Sequence, residues 1–114
     1  MISNIQARGQ KTEVTAITTN TTSAAVEVGA WDYCIVTADV TFTTSCVFKF
    51  QVAYERGGTK YDLEVGGTIA VTETATGNYS YELELGAAEE LYITSTDIGS
   101  STLACKVFPF NRGV

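Results

Sequence analysis

The octapeptide NYSYELEL, residues 78–85, alternates without a break. Tyr79, Tyr81, Leu83 and Leu85 share one face of an extended chain, and Ser80, Glu82 and Glu84 share the other. Side chains of a strand point alternately to opposite faces, so the pattern describes a strand with one face in a core and one in water. The same period continues in both directions along the chain. Cys34, Val36, Ala38, Val40 and Phe42 form one apolar face, and Cys46, Phe48, Phe50, Val52 and Tyr54 form the next. Ala24, Val26 and Val28 bracket an outward Glu27, and Tyr61, Leu63 and Val65 alternate with Lys60, Asp62 and Glu64. Segments around Ile69 and Val71, around Leu91 and Ile93, and through Leu103, Cys105 and Val107 complete the series, with a weaker one at Glu13–Thr18.

These segments predict about eight or nine strands. They are separated by VGAW, RGGT, VGGT, TGN, LGAAEE and DIGSS, whose Gly, Asn, Asp and Ser are the residues that turns require. LGAAEEL has room for one helical turn and nothing else reads as helix. Pro109, which has no N–H to give to a ladder, is expected to close an edge strand. Short strands at regular spacing indicate an all-β fold, an antiparallel β-sandwich. A jelly-roll-like form is expected in preference to an immunoglobulin form, which would place a Trp between two bridged cysteines, whereas Trp31 precedes both Cys34 and Cys46. The 114 residues suit one core. The polar, aperiodic residues 1–11 read as an N-terminal arm, disordered or held by another surface, ahead of a single sandwich domain at 12–114.

Composition narrows the function. The net charge is −6 with no basic cluster, which argues against nucleic acid. No apolar run is long enough for a membrane helix, and none follows Arg8 and Lys11 as a secretion signal would need. The chain has no histidine, so the common general bases and triads are absent. The carboxylate pairs Asp62/Glu64 and Glu82/Glu84 lie about 7 Å apart along their strands, a spacing that glycosidases also use. No apolar pocket around them is legible, so a solvated acidic face is the better reading and no enzyme is expected. Those carboxylates with Glu89, Glu90 and Asp97 lack the loop pattern of a calcium site. No metal or cofactor is implied.

The chain has three cysteines. If Cys34–Tyr54 is a hairpin turning at Thr43–Ser45, Cys34 and Cys46 stand about 26 Å apart along the ladder, far beyond disulfide reach; if the chain instead crosses to the facing sheet at this turn, the two still lie at opposite ends of their strands. All three share a face with Val, Leu or Phe. They read as reduced core residues, and the chain as one that folds in a reducing cytoplasm.

Tyr54, Tyr61, Tyr79 and Tyr81 take core parity. Trp31, in a turn, and Tyr92, on an outward face, are the aromatics free to stack on a sugar or anchor a protein. Phe50-Gln51-Val52, Gly57-Gly58-Thr59, Tyr61 and Gly77-Asn78-Tyr79-Ser80-Tyr81 resemble, in their order, small β-sandwich virion structural proteins of tailed bacteriophages, the head-decoration and auxiliary capsid proteins. The chain lacks the Arg residues often found after that series. The resemblance implies a structural, non-enzymatic role in the virion after folding in the bacterial host cytoplasm. Its partners would be the major capsid protein or other virion proteins, and it would form a homo-oligomer such as a trimer. Candidate partner-binding residues are Ile2, Ile5, Arg8, Lys11, Trp31 and Tyr92. A tail or head–tail connector subunit and a carbohydrate-binding module using Trp31 and Tyr92 are the alternatives.

Overall fold

The computed structural model describes residues 5–112 and contains ten strands among them. These are β1 (Ile5–Arg8), β2 (Thr12–Glu13), β3 (Val26–Glu27), β4 (Tyr33–Thr41), β5 (Val47–Ala53), β6 (Lys60–Leu63), β7 (Val71–Thr72), β8 (Gly77–Glu84), β9 (Glu90–Asp97) and β10 (Thr102–Arg112). They form two five-stranded antiparallel sheets. In the first sheet the order is β1-β10-β4-β8, with β2 also on β10. In the second it is β3-β9-β5-β6, with β7 also on β5.

The pairs are nested: β5 with β6, β4 with β8, β3 with β9, and β2 with β10. One long hairpin, bent at β5–β6 and rolled so that alternate pairs fall in opposite sheets, produces this order. The antiparallel β-sandwich is as expected.

Alternation then builds the core. Cys34, Val36, Ala38 and Val40 of β4, Phe48, Phe50 and Val52 of β5, Leu83 of β8, Leu91 and Ile93 of β9, and Leu103, Cys105 and Val107 of β10 are all buried. Each fully buried Val, Leu, Ile or Phe among them stabilises by about 1.5–3 kcal/mol through removal from water. Tyr81 closes the layer edge-on to Phe48 and tilted against Phe50, with ring centroids 5.8 and 5.7 Å away. The cysteines are free thiols, as expected.

One open alternative is decided and four expectations are corrected. Strands β4 and β5 are not a hairpin: the chain crosses between sheets at Phe42–Cys46, and both strands present the same parity to the shared core from opposite sides. Alternation is indifferent to whether two strands lie side by side or face to face, because either way the apolar face turns inward.

Tyr54 and Tyr61 are about half exposed, at 52% and 53%. Tyr61 has core parity, since it pairs with Val52, but the edge strand β6 carries it past the end of the facing sheet. Ile69 and Ala24 are likewise exposed, in loops outside the strands. LGAAEE makes a tight turn with Gly86 at φ 62° and the Ala88 N–H donating to Leu85 C=O, without a helix.

Pro109 lies inside β10, between β1 and β4. Its carbonyl accepts from Gly9 N–H at 2.9 Å, so its ring nitrogen faces the same side, where the partner chain breaks between β1 and β2. The missing donor forgoes one bond only, to Gly9 C=O, at the point where the partner leaves the ladder.

Candidate partner-binding groove

Four of the expected partner-binding residues come to one side of the sandwich. Ile5–Arg8 of the expected arm are β1, paired with the end of β10 so that Arg8 stands beside Phe110 and Ile5 beside Arg112. Lys11 follows in the exposed link to β2. Ile2 lies outside the described residues.

Trp31 occupies the turn between β3 and β4, its N–H bonded to Val28 C=O at 3.0 Å. The indole is half-buried against the core and lies over Gly9 and Pro109. Only glycine admits this approach, because a Cβ on residue 9 would stand 2.8 Å from both rings.

Between β2 of the first sheet and β3 of the second, Trp31 and Pro109 begin a groove that continues along Thr12, Ala25 and Val26, with Gln10 and Glu27 on its rim and a volume of about 510 Å³. It runs on into a smaller, more apolar hollow of about 130 Å³ walled by Val14 and Ala24. Both flanking strands are two residues long, which leaves backbone groups beside the groove outside any sheet ladder. The groove therefore offers an indole, aliphatic walls and strand edges, the combination that accepts an extended segment of another chain.

Next to it, the outer face of the first sheet is apolar. Tyr33 stacks on Phe110 with centroids 5.6 Å apart and planes 17° from parallel. Arg112 lies 5.2 Å from both rings and pairs with Glu82 at 2.6 Å. Phe108, 37% exposed, pairs across the ladder with Ile35. The signal was present in YCIV and VFPF, where Tyr33, Ile35, Phe108 and Phe110 take the parity opposite to the core.

Tyr92 is elsewhere. It sits on the outer face of the second sheet, as its parity requires, but is only 7% exposed. Lys60 Nζ lies 4.5 Å over its ring, and its hydroxyl donates to Glu90 at 2.7 Å.

One member of each acidic pair, Asp62 and Glu82, is engaged in a structural contact. Asp62 accepts from Lys49 at 3.0 Å and from Gln51 at 2.9 Å, and these two bonds hold its carboxyl below the ordinary range. Asp97 accepts from Ser45 and Glu90 from Gly57. Among the described residues no group of His, Cys, Asp and Glu is placed to hold a metal ion, and no helix is long and apolar enough to cross a membrane.

No family profile matches the chain, and no curated protein does. Solved structures do. The SPBc2 prophage-derived protein YomS aligns over 89% of this chain and 93% of its own, with 15% identity and a TM-score of 0.63. The PBSX exported protein XepA aligns over 93% of this chain with 16% identity and a TM-score of 0.65, this chain spanning 39% of that one. A carbohydrate-binding module of Cellvibrio mixtus lichenase 5A, solved with cellotriose, aligns over 93% of this chain and 91% of its own, with 12% identity and a TM-score of 0.52. At these identities what is shared is the fold. The chain is an antiparallel β-sandwich, a fold it shares with a prophage-derived protein and with a carbohydrate-binding module alike.

Proposed function

We propose that this chain is a non-enzymatic structural protein of a phage virion, and within the virion a decoration or cement protein that binds the major capsid lattice through the groove beside Trp31. The observation that carries the reading is that groove: a half-buried indole, held in place by Gly9 and Pro109, opens a cleft between two short strand edges. An aromatic anchor in a partly formed pocket is the usual centre of a protein interface. Arg8 at the end of β1 and Lys11 on the adjoining link suit an acidic rim on the partner. The shared fold with a prophage-derived protein along nearly its whole length supports the viral setting.

The test is to fractionate purified particles of a phage whose genome encodes this sequence into heads and tails, and to quantify the chain in each. It is expected in heads, at a fixed ratio to the major capsid protein. Trp31→Ala, folded by circular dichroism, is expected to fail to join them. Presence in tails only would favour the connector reading, and absence from particles would end the virion reading altogether.

A carbohydrate-binding role has one observation of its own. Tyr54 and Tyr61 form an exposed pair, centroids 5.6 Å apart, beside Glu55 and Thr59 at the β5–β6 turn. Binding of soluble glycans that is lost in Tyr61→Ala and retained in Trp31→Ala would favour it.

A further inference from the structure

We propose that the free edge of β8 pairs with β8 of a second copy, antiparallel and centred on Tyr81, so that two first sheets join into one continuous sheet. This adds a self-assembly surface to the reading above and rests on that reading only for its purpose.

The ladder fixes which way the backbone groups of β8 point. Leu103, Cys105 and Pro109 of β10 bond toward β1, β2 and Ile17. In the unshifted β10–β4 register the even residues of β10 therefore bond to the odd residues of β4. That leaves Cys34, Val36, Ala38 and Val40 to bond to the odd residues of β8, in agreement with the Leu85 N–H on Asp32 C=O just beyond. The N–H and C=O groups of Asn78, Ser80, Glu82 and Glu84 consequently point outward, where among the described residues no strand pairs with them.

This is the longest uninterrupted edge of the fold, eight residues without bulge, proline or lysine. β3 and β7 have two residues each and β6 has four. Long plain edges of this kind recruit another strand.

Self-complementarity selects the partner and the register. Centred on Tyr81, the pairing sets Glu82 opposite Ser80 and Glu84 opposite Asn78 of the second copy. Every outward donor and acceptor from Asn78 to Glu84 is then matched, and no carboxylate faces another. Centring on Glu82 opposes two glutamates, and centring on Ser80 leaves Glu84 unmatched. Residues directly opposite share a face, so the half-buried Tyr79 and Tyr81 meet Leu83 and Tyr81 of the second copy and extend the core across the junction. Arg112 already neutralises Glu82 within each copy.

Sedimentation velocity on the full chain tests this. A dimer is expected, tighter as salt screens the −6 charge of each copy. Ser80→Pro removes an outward N–H that the protomer does not use, and is expected to be monomeric with an unchanged far-ultraviolet spectrum. Ser80→Glu leaves the backbone intact and opposes Glu82 twice across the junction, which is expected to weaken the dimer about tenfold at low salt and less at high salt. A wild-type chain that stays monomeric at all concentrations and salts overturns the proposal, as does a folded Ser80→Glu chain that dimerises like wild type. If Ser80→Pro fails to fold, Ser80→Glu decides. Trp31→Ala is expected to dimerise normally while losing particle binding, so failure of the groove reading and failure of the edge pairing are separately visible.

Discussion

Trp31 lies across Gly9 so closely that a β-carbon on Gly9 would stand 2.8 Å from the indole Cε2 and Cζ2, and as near to Pro109 Cγ. These are ring atoms packed into the sandwich, and they cannot swing aside as the tip of a long side chain would. Gly9→Ala is therefore expected to push the indole outward and loosen β1 from β10, at a cost of about 1–3 kcal/mol. Trp31 is the sole tryptophan, so its fluorescence reports the change. A shift to longer wavelength with an unchanged far-ultraviolet spectrum is expected, and a variant with the wild-type emission maximum would show that the contact does not hold the indole.

Glu90 lies on the outer face of the second sheet yet is only 6% exposed, because the β5–β6 turn folds over it. The Tyr92 hydroxyl donates to its carboxylate at 2.7 Å and the Gly57 N–H at 2.8 Å. These bonds, Tyr92's first, hold the carboxyl below its ordinary value of 4.5. Because the folded state favours the ionised form, the stabilisation is complete above the unfolded pKa and drains away as pH falls through the lower folded value. Thermal unfolding from neutral to acid pH is expected to lose part of its acid-side slope in Glu90→Gln. The same substitution should speed hydrogen exchange at Gly57. An acid-side slope identical to wild type would mean the contact carries no linkage.

Much of this fold was legible because period 2 depends only on which way a residue faces. Strands β4, β5, β8, β9 and β10 follow from it directly, as do the three buried thiols. What alternation does not encode is the extent of the opposite layer. Tyr61 faces inward at a place where the second sheet has outrun the first, and Glu90 and Tyr92 face outward beneath a turn that covers them. Pro109 misled for a related reason, since the break in its partner between Gly9 and Lys11 is a property of two distant segments. The groove was half visible: Arg8, Lys11 and Trp31 were singled out, but Val26, Pro109 and the Phe108–Ile35 patch needed the strand order to join them.

Burial pushes the thiols of Cys34 and Cys105 up to about 12, and raises that of Cys46, with the Glu73 charge adding to the effect. A thiol reagent attacks the thiolate, so all three cysteines are expected to be inert in the folded chain at mildly alkaline pH and to react fully after denaturation. The neutral thiol is favoured only while folded. Their contribution to stability is thus complete below the ordinary 9.0 and lost as pH climbs toward the folded values. Thiol titration with and without denaturant, together with unfolding curves at alkaline pH, checks both halves. Rapid modification of the native chain would contradict the buried placement.

Ser95 is a buried hydroxyl that ties the loop Thr18–Ser23 to the second sheet. It is 3% exposed, its Oγ donates to Thr19 C=O at 2.7 Å, and it accepts from Thr21 N–H at 2.9 Å. The polar run Thr18–Ser23 has no apolar side chain to hold it, and its remaining ties include Asn20 accepting from Ile98 N–H and Thr22 bonding to Thr94. Ser95→Ala removes a donor and an acceptor together, stranding two backbone groups at a partly buried site, and is expected to cost about 1–3 kcal/mol. Thr22→Ala breaks a bond at an exposed site, where water replaces the partner, and is expected to cost under about 0.5 kcal/mol. Hydrogen exchange locates the difference: in Ser95→Ala the Thr21 amide should exchange markedly faster while amides of the β5–β9 ladder keep their protection. Equal costs for the two substitutions, or uniform loss of protection across the sheet, would mean that Ser95 serves the core and not the loop.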